Sequence, residues 1–446
     1  MFSSRIPANL SANRLSDALA ERRASGRPLI DLTLSNPTRA GFHYPPDLLA
    51  ALADARALRY EPAAFGVPEA REAVARDYQR QGITVSPARI VLTSSTSDAY
   101  SLLFKLLADA GDEVLVPRPS YPLLDHLTQL DLVVSRPYDL ELHAGWSIDF
   151  TSFERALTPR TRAVLVVSPN NPTGSFLSPA ELDRLAELCV PRGIALIADE
   201  VFADYELEPG AAGRRARVVE RDDLLTFSLG GLSKSVGLPQ VKLGWIAVGG
   251  PDALVDAALA RLELVCDTYL AVSTPVQVAA ARLLERGAVV RSQIAARVAT
   301  NYRGLMTMSA RVPSCGVARS AGGWYGVMHV PSFEPEEDLA VRLLTHDGVL
   351  AHPGYFFDFP RESFLVVSLL PPEASFGDGI DRVLRHFACS ATSTCVRPPA
   401  GAGRGCSSRC SRVRPPKAGA SATSAMWSTS RHGWHPPASA CSSCCR

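Results

Sequence analysis

Charge, aromatics and long apolar runs are all scarce in this sequence. Charged residues make up 20% and aromatics 7% of the chain. No uninterrupted apolar run approaches the roughly 18 residues of a membrane span, so no membrane partner is expected. The opening stretch MFSSRIPANLSANRLSDAL has no apolar core of the kind a secretory signal carries, and a cytoplasmic protein is the expectation. Cysteine is sparse over most of the length. Only Cys189, Cys266 and Cys315 fall before residue 389, too few and too scattered for a disulfide scaffold, and they suit a reducing compartment. The near-neutral net charge of +1 conceals a split. Residues 389–446 carry eight Lys or Arg and no Asp or Glu, which leaves the preceding body at about −7. That body gives no electrostatic reason to expect nucleic acid.

What is present is length and rhythm. The 446 residues allow two domains with substantial cores. An amphipathic stretch over Asn13–Arg23 and a strand over Leu29–Leu34 lead to a turn at Asn36-Pro37-Thr38. Short apolar runs then alternate with helical patterns. The runs are Arg89–Thr93, Glu113–Val116, Ala163–Val167, Ile194–Ala198, Leu224–Phe227 and Trp245–Val248. The helical patterns include Asp98–Ala108, Pro179–Cys189 and Pro251–Leu264. This predicts an α/β fold, a mostly parallel sheet sandwiched by helices, with ligands gathering at the carboxyl ends of its strands. From Pro275 the pattern changes to two long helices, Val276–Glu285 and Val289–Ala310, and then to a mixed region ending near Ala388.

The expected organisation is an N-terminal segment (1–40) completing a small α+β domain (275–388), with a large domain (41–274) between them. The stretch 389–446, rich in Ser, Cys, Arg and Pro, reads as a disordered basic tail or an out-of-frame gene end. Cys441, Cys444, Cys445, His432 and His435 match no standard zinc spacing, and no metal site is expected.

One lysine stands out. Lys234 lies in SLGGLSKSVGLPQVKLG, Ser228–Gly244, among glycines, serines and apolar residues with Lys242 as the one other charge. Packed against apolar neighbours an amine is desolvated, its pKa falls, and a neutral nucleophile becomes available. A snorkelling lysine at a strand-to-helix junction would read the same way from this stretch alone. Other segments fall at expected strand ends. Thr93-Ser94-Ser95-Thr96-Ser97 opens a helix and suits an anion, though one serine suffices for a plain N-cap. Tyr121 ends a proline-rich loop, where a ring either stacks on a flat ligand or simply packs. Asn171 lies in SPNNPTG after a buried strand. Asp199 closes a hydrophobic strand, a costly place for a carboxylate unless it is paired; Glu200 beside it reads as a cap or a solvent-facing group.

Together these segments resemble, in order, the class I/II aminotransferases, fold-type-I pyridoxal-phosphate enzymes. The resemblance covers roughly residues 29–388. It implies that Lys234 carries the cofactor as a Schiff base. Ser95, Thr96 and Lys242, the last where the family has arginine, would anchor the phosphate. Tyr121 would stack on the ring, Asn171 would bond the phenolic oxygen, and Asp199 would pair with the ring nitrogen. Arg59-Tyr60-Glu61-Pro62 resembles the segment whose tyrosine reaches the neighbouring subunit's phosphate, implying a homodimer. The substrates implied are an amino donor and a 2-oxo acid acceptor.

Two further positions depart from the pattern. Phe202 stands where the family usually has tyrosine, and Val366 where it has the arginine that binds the substrate α-carboxylate. Arg361, Arg39 and His352 are candidate stand-ins for that arginine; otherwise the substrate lacks the carboxylate. A β-eliminating lyase or decarboxylase on the same cofactor is the alternative activity, and a non-catalytic cofactor-binding regulator the remote one.

Overall fold

The six apolar runs between residues 89 and 248 are strands of one sheet in the computed structural model, which describes residues 2–7, 11–208, 210–211 and 215–393. In chain order the elements begin with α1 (Arg14–Ala24), β1 (Ile30–Asp31), α2 (Pro68–Arg80), β2 (Ile90–Thr93), α3 (Thr96–Leu107) and β3 (Glu113–Arg118). Next come α4 (Leu123–Leu130), β4 (Val134–Leu142), β5 (Trp146–Ile148), α5 (Phe150–Ala156), β6 (Thr161–Val167) and α6 (Pro179–Cys189). The middle of the chain adds β7 (Ala195–Asp199), β8 (Thr226–Gly231), α7 (Leu232–Ser235), β9 (Gly244–Gly249), α8 (Asp252–Tyr269) and α9 (Thr274–Ser309). The last part holds β10 (Gly316–Ala318), β11 (Tyr325–His329), α10 (Glu336–Arg342), β12 (Val349–Leu350), β13 (His352–Pro353), β14 (Phe364–Ser368) and α11 (Glu373–Ser393).

The large sheet has eight strands in the order β2-β9-β8-β7-β6-β3-β4-β5. Strands β8, β7, β6, β3 and β4 run parallel; β9 is antiparallel to both its neighbours and β5 to β4. Alternation within a strand shows why the runs are apolar throughout. On β6, Ala163 and Leu165 join the cluster that packs α3 and α8, while Val164 and Val166 join the opposite cluster with Leu182 and Leu185 of α6. Both faces are covered by helices, so a period-2 polar pattern has no place in these strands.

A second, antiparallel sheet has the order β10-β11-β14-β13. The chain start is tied to this region: β1 pairs in parallel with β12, and the Ser368 hydroxyl donates to the Leu34 carbonyl at 2.6 Å. The strand expected over Leu29–Leu34 shrinks to Ile30–Asp31, since only those residues find a ladder partner.

The two helices expected after Pro275 are one 36-residue helix, α9. Gly287 interrupts the sequence pattern but not the helix. A Cβ there would come within 2.6 Å of the Val236 side chain, so the glycine permits a close crossing over the segment after Lys234 rather than a break. Helix α11 runs to Ser393, past the boundary placed at 388. The rest of the tail, with Cys441, Cys444, Cys445, His432 and His435, lies outside the described residues.

Candidate active site

A cavity of about 430 Å³ opens where β6, β7 and β8 end and the second sheet meets the first. Ser95, Thr96, Tyr121, Asn171, Asp199, Lys234 and Lys242, drawn from five separate stretches of chain, all line it. Tyr60 does not line the cavity of its own chain; it stands 71% exposed on the surface.

One end of the cavity suits an anion. Ser95 is the N-cap of α3, extended at φ −170°, with its hydroxyl accepting from the Asp98 amide at 3.1 Å. The first-turn amides of Thr96 and Ser97 have no acceptor within the helix, and both residues face the cavity. Ser233 and Lys242 complete this end. Lys242 adopts a left-handed φ of 61°, rare for a lysine. Two residues later Gly244 lets β9 pass close to the cap. A Cβ at 244 would lie 2.9 Å from the Ser95 carbonyl carbon and 2.9 Å from Thr93 Oγ1.

Asp199 sits at the carboxyl end of β7. Tyr100 donates to its Oδ2 at 2.8 Å and the Val201 amide to its Oδ1 at 3.1 Å. Burial raises the carboxyl pKa, opposed by those two donors and by the charge of Lys234. Lys234 has no hydrogen bond or ion pair among the described residues. Its Nζ lies 4.9 Å from the Trp324 ring centroid and 5.4 Å from that of Phe202. Burial lowers its pKa from 10.5 to about 8, with Asp199 pulling the other way. The backbone carrying it is pinned: the Tyr205 hydroxyl donates to the Lys234 carbonyl, and Arg291 Nε to the Ser235 carbonyl at 2.9 Å. Arg291 is itself held by Asp77 at 3.2 Å and Asp204 at 3.4 Å. Asn171 is buried, and its Oδ1 has no partner.

The residues fit pyridoxal phosphate. The cavity offers open helix amides with a cation for a phosphate and a half-buried carboxylate for a ring nitrogen. An unpartnered buried amide faces it, as does a desolvated amine.

Glu200 corrects its expectation. It is half-buried, and burial pushes its carboxyl up to about 7, partly offset by Arg215. Among the proposed stand-ins for a carboxylate-binding arginine, only His352 lines the cavity. Arg39 is exposed, and Arg361 lies on the outside over the Phe364 ring at 5.9 Å. Val366 is fully buried on β14 between Val327 of β11 and His352 of β13. Sequence reasoning missed Tyr100, Ser35 and Tyr325. Tyr100 carried a faint signal, standing on the helix that follows the Ser/Thr run. Ser35 and Tyr325 carried none, because they meet Lys234 only through the packing of the second sheet.

The family described as "Aminotransferase class I and II" matches residues 27–374. The alanine aminotransferase of Mycobacterium tuberculosis strain H37Rv is 26% identical over 381 residues, covering 82% of this chain and 86% of that protein. Among solved structures, the alanine aminotransferase of Pyrococcus furiosus superposes with a TM-score of 0.77 at 22% identity, covering 87% of this chain and all of that one. An aspartate aminotransferase mutant from Thermus thermophilus superposes with a TM-score of 0.73 at 26% identity, covering 86% and 99%.

Proposed function

Since the chain belongs to the class I and II aminotransferases and is a pyridoxal-phosphate-dependent transaminase, we propose that Lys234 is its catalytic residue and that the cavity around it holds the cofactor. The observation that carries this reading is Lys234 itself: an unpaired amine between two aromatic rings, with a pKa near 8, in the same cavity as Asp199.

Lys234 would hold the aldehyde carbon. The amides of Thr96 and Ser97, the Ser95 and Ser233 hydroxyls and Lys242 would hold the phosphate. Tyr121 would cover the ring, Asn171 would bond its phenolic oxygen, and Asp199 its nitrogen. When bound, pyridoxal phosphate supplies a cationic ring that accepts electrons from the bond broken at the donor's α-carbon. The Lys234 amine would take the α-proton of the donor and return it two atoms along, to the cofactor's C4′ carbon, a task that suits a base with pKa near operating pH. Asp199, whose charged form Tyr100 and the Val201 amide favour against the burial that raises its pKa, would hold the proton on the ring nitrogen. Phe202 and Trp324 keep water from the amine.

An amino donor gives its nitrogen to a 2-oxo acid acceptor. Lyase, decarboxylase and regulator readings are not favoured by the family. The assembly proposed is a homodimer in which the exposed Tyr60 reaches the partner's phosphate end. The division proposed is a large domain over 41–274 and a small one over 275–388 joined by residues 1–40. A cytoplasmic location is supported by three buried free thiols among the described residues.

The test is the visible spectrum of the purified chain with cofactor, titrated with amino acids and simple amines. Conversion to pyridoxamine phosphate with release of a carbonyl product, reversed by a 2-oxo acid, is expected. Absence of a cofactor band, or product formed without amine transfer, would overturn the reading.

A further inference from the structure

The charges of the cavity lie at one end and in its middle. Lys242 stands with the helix amides, and Asp199 and Lys234 occupy the centre. Past Lys234 the wall comes from the second sheet and the N-terminal segment: Ser35, Tyr325 and His352, with Phe202 beside them. These are hydroxyls, an imidazole and a ring. Among the described residues this wall carries no guanidinium, ammonium or carboxylate.

The sheet register shows how deep the neutrality goes. Tyr325 pairs with Ser368, Val327 with Val366, and Val366 with His352. Directly opposed residues share a sheet face, as do residues two apart. Since Tyr325 and His352 face the cavity, Val327 and Val366 stand on that face behind them. The His352 ring packs against Phe356 at 5.9 Å and Phe357 at 5.7 Å. That aromatic surround keeps it neutral, its pKa lowered by burial to about 4.

A carboxylate brought to this wall loses its water and meets no cation. A hydrogen, alkyl or aryl group loses little, and a hydroxyl finds Ser35, Tyr325 and His352 as neutral partners. Resting on the transaminase reading of the same cavity, we propose that the preferred amino donor is a primary amine whose α-carbon bears neutral groups (hydrogen, alkyl, aryl or hydroxymethyl) in place of a carboxylate. The reaction balances as amine plus 2-oxo acid giving aldehyde or ketone plus amino acid, with no outside oxidant. The 2-oxo acid carries its own carboxylate to the same wall, so it saturates the enzyme weakly.

The experiment uses the full chain loaded with pyridoxal phosphate. Calorimetry compares two unreactive probes of one shape, 3-phenylpropan-1-ol and 3-phenylpropionate. Half-reaction titrations compare phenylalanine, phenylalaninol and 2-phenylethylamine, and then alanine, alaninol and ethylamine. The alcohol is expected to bind at least about tenfold more tightly than the carboxylate, the size of one unmade hydrogen bond to a charged group. The carboxyl-free amines are expected to convert the cofactor at correspondingly lower concentration. Val366→Arg, which adds a fork of donors to the cavity face, should bring the carboxylate probe level with the alcohol or ahead of it. If that variant does not fold, the wild-type calorimetric order still decides. Equal or tighter carboxylate binding by the wild type, the result expected if a second copy of the chain supplies a cation, overturns the proposal, as does binding of neither probe. Failure of the transaminase reading looks different: no amine or amino acid then converts the cofactor, whatever the calorimetric order.

Discussion

Tyr100 donates its phenolic hydrogen to Oδ2 of Asp199 at 2.8 Å, joining the first turns of α3 to the last residue of β7 across the floor of the cavity. Burial, and after it the carboxylate of Asp199, raises the phenol's own pKa well above the ordinary value. The proton of this hydrogen bond therefore stays on Tyr100, and the bond favours the charged form of Asp199 against the burial that raises its pKa.

Replacing Tyr100 by Phe removes a donor to a charged acceptor while keeping the ring. The carboxyl pKa of Asp199 should rise further, because burial would then be opposed by fewer partners. Cofactor affinity and half-reaction rate should each fall about tenfold, on the order of 1.5 kcal/mol for a hydrogen bond to a charged group. Spectroscopic titration of cofactor into the stripped variant measures the first, and stopped-flow the second. Unchanged affinity would count against a positioning role for Tyr100.

Lys234→Ala should keep the fold and lose turnover. In the cofactor-free wild type, capture of pyridoxal phosphate should accelerate as pH rises through about 8, where burial has placed the pKa of the amine. The same shift affects stability. Between about 8 and 10.5 the unfolded chain holds more protons on this lysine than the fold does, so stability should increase with pH across that window. Denaturant midpoints of wild type and Lys234→Met over that range test the sign, since the variant should lose the slope.

Arg291→Met leaves Asp77 and Asp204 facing each other with only Arg80 between them, and frees the Ser235 carbonyl. Breaking a buried pair on one side costs roughly 3 kcal/mol. A drop of that order in unfolding free energy is expected, together with weaker cofactor retention because the backbone under Lys234 loosens. A stability loss within about 0.5 kcal/mol, typical of an exposed site, would refute the buried network.

His352 gives the acid side of the stability curve a group to titrate. Its folded pKa is lowered from 6.5 to about 4, so the unfolded chain binds more protons between those values and stability falls as pH drops through them. His352→Gln should flatten that limb, as read from unfolding midpoints between pH 4 and 6.5. An unchanged slope would place the acid sensitivity elsewhere.

Gly244→Ala should weaken phosphate binding more than it weakens the fold. The added methyl meets the backbone of Ser95 as well as the Thr93 hydroxyl, so the cap of α3 must shift. Comparing affinity for inorganic phosphate with the unfolding midpoint separates the two effects.

The sheet and most of the residues lining the cavity were legible in the sequence. Strands buried on both faces, such as Ala163–Val167, leave an unbroken apolar signature, and the polar residues that end them stand out by contrast. Asn171, Asp199 and Lys234 are visible for that reason: each follows a run that has no other reason to stop in a polar group. Helix α9 misled because a glycine that serves a close crossing looks in sequence like one that ends a helix. The tertiary structure alone decided the other half of the cavity. Ser35, Tyr325 and His352 lie far apart in the chain and meet Lys234 because β1 pairs with β12 and β13 with β14. No local periodicity encodes those pairings. Whether the wall facing the substrate is charged depends on which side chains the register turns inward, and that is set by strand pairing rather than by any short stretch of sequence.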